Sequence, residues 1–155
     1  MKQQSLKYVI RVYALIINER HEVLLSDEYQ MDMKMVKFPG GGMEDGEGTL
    51  DCLQREAREE FGQELTNIRH FYTTDYYQKA LFCEDHQLIS IYYLADFREE
   101  ISFPVSEQPF DFTTDVNGNQ SFRWAALHDL EVDDLSFPID RLVLVKLKEY
   151  ISGRS

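Results

Sequence analysis

Apolar and polar positions alternate along the chain in short runs that predict several strands and two helices. Residues 6–18 are rich in Tyr, Val and Ile; a polar break at Asn18-Glu19-Arg20-His21 follows, and a second apolar run begins at Val23, which together predict a hairpin. Met35-Val36-Lys37-Phe38 predicts another short strand, stopped by Pro39 and by Gly40, Gly41 and Gly42, read here as a tight turn opening a loop that lasts to Gly48. Leu50, Leu53, Ala57 and Phe61 then recur at helical spacing, with Thr49 as the expected N-cap and Gly62 as the stop.

Residues 68–79 and 88–97 are aromatic and β-branched, and predict two long antiparallel strands on either side of Glu84-Asp85-His86. Residues 103–112 carry two prolines and no period, a long loop of the sort that often carries function. Asn117-Gly118 predicts a turn before a last strand around Phe122-Arg123-Trp124. Ile139, Leu142, Val143, Leu147 and Ile151 share one helical face after Pro138, with Gly153 just past its end. Strands flanked by two helices, without repeats, predict an α/β or α+β fold with a mixed sheet between helices, over one domain spanning 1–155.

The first helix carries the chemistry. Glu56, Glu59 and Glu60 stand at i, i+3 and i+4, so three carboxylates project from neighbouring positions on one face. Like charges at that spacing destabilise a helix, and a divalent cation with a taste for hard oxygen, Mg²⁺ or Mn²⁺, relieves the conflict. The ordinary alternative is a solvated charged face paired through Arg55 and Arg58. The preceding loop argues against it: Gly40, Gly41, Gly42 and Gly46 bend the chain while Glu44, Asp45 and Glu47 bring more carboxylates to the same end.

Two other phosphate or cation motifs fail here. Gly41 and Gly46 have P-loop spacing, but Glu47-Gly48 stands where Lys and Ser or Thr are required. The alternating Asp and Asn ligands of an EF-hand are missing.

Gly41, five residues, Glu47, seven residues, then Arg55-Glu56-Ala57-Arg58-Glu59-Glu60-Phe61-Gly62 resembles the Nudix box, G-x5-E-x7-R-E-U-x-E-E-x-G-U. Phe38-Pro39-Gly40 just before it is also typical of that family. Ala57 and Gln63 depart from the bulky aliphatic expected at the two U positions, which bears on helix packing rather than on chemistry.

The resemblance implies an α/β/α sandwich and a pyrophosphohydrolase acting on a nucleoside diphosphate linked to another group. It implies Glu56, Glu59 and Glu60 as ligands of Mg²⁺ or Mn²⁺, with Glu47 joining the set or shaping the loop. Arg55, Glu59 and Glu60 are the implied catalytic residues, Arg55 by orienting Glu59. A further carboxylate often precedes the family's tryptophan; Gln120-Ser121-Phe122 holds none, and Glu99, Glu100 and Glu107 are the substitutes in or near the long loop.

Other features narrow this picture. A net charge of -12 disfavours a nucleic-acid surface, leaving a small nucleotide-type molecule as partner. Neither a signal core nor a run of about 20 apolar residues occurs, so a cytoplasmic protein without membrane contact is expected. Cys52 and Cys83 read as reduced thiols, and His21, His70, His86 and His128 lack ligand spacing. Tyr72, Tyr76, Tyr77 and Phe82 are candidates for a base or sugar slot, against core packing as the commoner use of such residues. A homodimer is compatible with the family. Two rivals remain: a non-catalytic ligand-sensing module of the same fold, which need not keep every box carboxylate, and an isoprenoid diphosphate isomerase, for which Cys83 alone gives no motif.

Overall fold

The computed structural model describes residues 7–153; Leu6, the expected start of the first strand, lies outside the described residues. Seven strands and two helices follow in the order β1 (Tyr8–Ile16), β2 (Glu22–Gln30), β3 (Met33–Lys37), β4 (Gly40–Gly42), α1 (Thr49–Phe61), β5 (Leu65–Thr73), β6 (Gln87–Phe97), β7 (Gln120–Ala126) and α2 (Pro138–Ser152). The mixed α+β architecture agrees with the sequence reading. The strands, however, form two sheets rather than one, ordered β4-β1-β6-β5 and β3-β2-β7.

That division overturns the hairpin expected at the start of the chain. β1 and β2 meet only through the Ile17–Val23 bridge and then part. A strand has two edges, and β1 fills both of its own, with β4 antiparallel on one side and β6 parallel on the other. β2 therefore pairs with β3 and β7 instead.

Both faces of β1 are covered, which is why its sequence is apolar without alternation. Val12, Ala14 and Ile16 pack with Cys52, Leu53, Ala57 and Phe61 of α1. Tyr13 and Leu15 face the opposite layer, with Tyr92, Leu94 and the buried stripe Ile139, Val143, Leu144 and Leu147 of α2. The layers thus run α1, sheets, α2, and each helix is held by its apolar stripe.

Three local expectations change. Thr49 is the first helical residue rather than the cap: Gly48 occupies the N-cap, its N–H donating to Asp51 Oδ2 at 2.9 Å, while the Thr49 hydroxyl is spent on Tyr93 Oη at 2.7 Å. Leu50, assigned to the apolar stripe, is exposed, and Cys52 takes a buried position. The strand expected over 68–79 is Leu65–Thr73; the chain then turns at Asp75, which accepts from Tyr72 Oη at 2.7 Å, and regains only one bridge, Lys79 to Gln87. β5 and β6 are antiparallel neighbours as expected.

Gly40, Gly41 and Gly42, read as a turn, instead form β4 against β1. A Cβ on Gly40 would lie 2.1 Å from the Val12 carbonyl oxygen, and its φ of 152° is open only to glycine. Close approach, not turning, is what the first glycine supplies. Among the described residues no helix is long and apolar enough to cross a membrane.

Candidate active site

α1 starts directly beyond β4, so the loop carboxylates and the helix carboxylates meet around one guanidinium. Arg55 Nε and Nη2 donate to Glu47 at 3.0 and 2.7 Å, a two-bond fork of the kind that fixes both partners. Nη2 also donates to the Gly42 carbonyl at 2.8 Å, clamping the helix to β4. Nη1 reaches Glu56 Oε1 at 3.1 Å and Glu59 Oε2 at 3.3 Å. Glu47 turns back to accept the Glu44 N–H at 2.8 Å. The hydrogen bonds from Arg55, with that backbone bond, hold the Glu47 carboxyl down at about 2, and the same contacts push the Arg55 guanidinium upward.

Glu60 lies on the buried edge of this group and faces β2 and β7. Its Oε1 accepts from Gln120 Nε2 at 3.3 Å, and that same nitrogen lies 3.1 Å from Glu28 Oε2. The two carboxylates are therefore no more than about two hydrogen-bond lengths apart. Glu28 also accepts from Ser26 Oγ at 2.8 Å and pairs with the buried Lys37 at 3.0 Å. Burial raises the Glu60 carboxyl to about 7; Glu28 and Glu56 add to the rise, while Lys37 and Gln120 oppose it.

Gly41 makes room for this arrangement, since a Cβ there would lie 2.1 Å from Glu56 Oε1. The side chains of Glu56, Glu59, Glu60 and Glu28 offer hard carboxylate oxygens, the donor chemistry that fits Mg²⁺ or Mn²⁺. Among the described residues no three Asp, Glu, His or Cys side chains converge as around a bound ion, since Arg55 and Gln120 engage the carboxylate oxygens.

On the far side of Lys37 and Glu28 a cavity of about 350 Å³ opens, walled by Tyr13, Met35, Leu88 and Tyr92 and rimmed by Phe82. Of the four aromatic residues named for a slot, only Phe82 lines it. Tyr72 is buried beside Tyr92, and Tyr76 and Tyr77 are exposed elsewhere. Glu99, Glu100 and Glu107 are exposed; the first two offer their backbone carbonyls to Gln63, whose side chain also accepts the Ser102 N–H at 2.9 Å. The polar residue at that box position thus ties the following loop to the end of α1. Cys52 and Cys83 are free thiols, the first buried and the second exposed.

Sequence reasoning missed Glu28, Lys37 and Gln120. The signal for Glu28 was the polar run Ser26-Asp27-Glu28 directly after an apolar strand, but only the pairing of β2 with β3 and β7 reveals what it faces. Arg123, read from the sequence only as part of the last strand, is bound to the fully buried Asp27 at 2.7 Å across β2 and β7.

A family model described as the NUDIX domain matches residues 7–145. Solved structures share the fold at low identity. A NUDIX hydrolase from Nitrosomonas europaea is 16% identical with a TM-score of 0.67, covering 96% of this chain and 91% of its own. The MutT NUDIX hydrolase from Burkholderia pseudomallei is 20% identical with a TM-score of 0.65, covering 90% and 97%. The MutT protein from Methanosarcina mazei Go1 is 19% identical with a TM-score of 0.59, covering 96% and 98%. No curated protein matches the chain.

Proposed function

Since the chain belongs to the Nudix family, we propose that it is a divalent-metal-dependent pyrophosphohydrolase cleaving the phosphate-phosphate bond of a nucleoside diphosphate derivative. The observation that carries this reading is the complete glutamate set of α1, gathered with its loop around Arg55 and backed by Glu28 from β2.

Glu56, Glu59 and Glu60 would hold Mg²⁺ or Mn²⁺, with Glu28 the nearest carboxylate outside the helix. When bound, the ion supplies Lewis acidity, polarising a phosphoryl oxygen and lowering the pKa of an attacking water. Arg55 holds Glu56 and Glu59 on one side of the helix by charge-assisted hydrogen bonds. Glu47, with both oxygens on that guanidinium, fixes the loop and the arginine together. Glu60, half-buried where α1 faces β2, is held ready as a ligand by the hydrogen bond from Gln120. Gln120 bridges Glu60 to Glu28 and sets the spacing between helix and sheet. No covalent nucleophile is required, because positioning and electrostatics carry an in-line displacement at phosphorus.

The reaction acts on a small nucleotide-type molecule, and the acidic surface suits a cytoplasmic enzyme that leaves polymeric nucleic acid alone. The test is a panel of nucleoside triphosphates, nucleotide sugars, ADP-ribose and dinucleoside polyphosphates, assayed with Mg²⁺, with Mn²⁺ and with excess chelator. Hydrolysis of at least one member, abolished by the chelator, is the expected result. Tight binding of a member with no turnover under any metal would instead identify a ligand-sensing module.

A further inference from the structure

Two neighbouring carboxylates on β2 are bonded in different ways. Asp27 is closed: Arg123 donates to both of its oxygens, at 2.7 and 3.2 Å. Glu28 is held by one oxygen only. Its Oε2 takes three donors, Ser26 Oγ at 2.8 Å, Lys37 Nζ at 3.0 Å and Gln120 Nε2 at 3.1 Å, whereas among the described residues none donates to its Oε1. Three donors on one atom fix where the carboxylate stands and leave the other oxygen with its acceptor capacity unspent.

The sheet explains how the donors converge. Ser26 and Glu28 are two residues apart and share a face of β2. Lys37 of β3 is the register partner of Ser26, and Gln120 of β7 is the register partner of Glu28, so one donor arrives from each side of the strand. The same Gln120 nitrogen lies 3.3 Å from Glu60 Oε1, which brings the anchored carboxylate up to α1. Two carboxylates in contact with one amide, with a single lysine between them and solvent largely excluded, form a group short of positive charge. The helix glutamates approach from one side alone. An ion that takes six oxygens in a near-octahedral shell has further positions to fill, from water or from another element.

We propose that Glu28 Oε1 is a further ligand of the divalent ion, presented from β2 across from Glu56, Glu59 and Glu60. Ser26, Lys37 and Gln120 are positioning residues that act through Oε2. This inference rests on the hydrolase reading for the presence of the ion, and adds to it which strand completes the ligand set. Held in this way, the carboxylate loses little conformational freedom when it binds, and its anchors tune the site from outside the shell.

Mn²⁺ serves as the probe, and no turnover is needed. Affinity is measured by calorimetry, and the number of water molecules on the bound ion by water-proton relaxation at one equivalent. The native chain is compared with Glu28→Gln, with Glu28→Asp and with the exchange variant that combines Glu28→Gln and Gln120→Glu, each checked by thermal melting. Glu28→Gln is expected to weaken Mn²⁺ about tenfold or more and to admit about one additional water. Glu28→Asp keeps the charge beside Lys37 but shortens the reach, so it should show the same direction of change and answers the question if Glu28→Gln fails to fold. The exchange variant returns a carboxylate from the paired position on β7 and should recover most of the affinity. An unchanged water count in Glu28→Asp, or native affinity in Glu28→Gln, overturns the inference and leaves the hydrolase reading standing. Absence of Mn²⁺ binding by the native chain would overturn both. A silent hydrolysis panel with the expected binding pattern would remove the hydrolase and leave the ligand.

Discussion

The glutamate group at α1 and the carboxylate in the cavity handle negative charge in opposite ways. At α1 nearly every carboxylate has a partner: Glu47, Glu56 and Glu59 share Arg55, Glu28 has Lys37, and Gln120 bridges to Glu60. Of the two buried carboxylates lining the cavity, Glu28 is paired with Lys37, whereas Asp140 has one oxygen satisfied by Tyr92 and one left over. On the proposed function, the first arrangement would preorganise several oxygens for one divalent cation. The second leaves one oxygen, Asp140 Oδ2, without a side-chain or geometric hydrogen-bond partner among the described residues. The two regions adjoin, and the Glu28–Lys37 pair lies between them.

Substitutions that remove an oxygen from α1 have the largest expected effect. Glu59→Gln and Glu60→Gln should each lower kcat on the order of a thousandfold with little change in melting temperature, read by steady-state kinetics under saturating Mg²⁺. An equal loss from Glu99→Gln would mean that the reactive carboxylates had been placed wrongly.

Asp140→Asn sharpens the contrast through stability. Its folded pKa, about 6, lies above the ordinary 3.8, so the protonated form favours the fold at low pH and that contribution is lost as pH rises through 6. The variant should therefore gain up to about 3 kcal/mol over the native chain at pH 8, relative to the difference between them at pH 3.5. Denaturant melts at the two pH values measure this. A native chain whose stability relative to the variant did not fall between them would show that the carboxyl is not strained.

The two adjacent glycines separate fold from site. Gly40→Ala drives a Cβ into the Val12 backbone, and should cost about 2 kcal/mol or more of stability. Gly41→Ala meets only the movable end of Glu56, and should lower kcat about a hundredfold while costing less than about 1 kcal/mol. Parallel melts and assays distinguish them.

The smallest effect is expected at Arg55→Lys, which keeps the charge but loses the fork. Activity should fall about tenfold. The Glu47 carboxyl should rise from about 2 toward 4.5 in a carbon-13 titration. Because that pKa is depressed in the native fold, its contribution to stability is present above 4.5 and fades as pH falls toward 2.

The α1 side was legible in the sequence because it is local. Gly41 to Gly62 carries the loop, Arg55 and the three helix glutamates Glu56, Glu59 and Glu60 in one continuous stretch, and helical spacing alone places those three on one face. The rest depends on pairing at long range. Glu28, Lys37 and Gln120 lie on three strands whose order could not be read from alternation, since β1 and β2 were expected to pair throughout. Asp140 looks like an ordinary acidic residue in the first turn of a helix. Only the packing of α2 against Tyr92 turns it into a buried wall of the cavity. The three glycines showed that the backbone was special but not how, because close strand approach and tight turning both call for glycine.

Water attack on phosphorus supported by the α1 carboxylates can be followed by hydrolysis in heavy-oxygen water with Mg²⁺, using the best substrate of the panel. One heavy oxygen in a single phosphate-bearing product is expected from the native chain, and almost no product from Glu60→Gln. Label absent from both phosphate products, or undiminished turnover by Glu60→Gln, would contradict it.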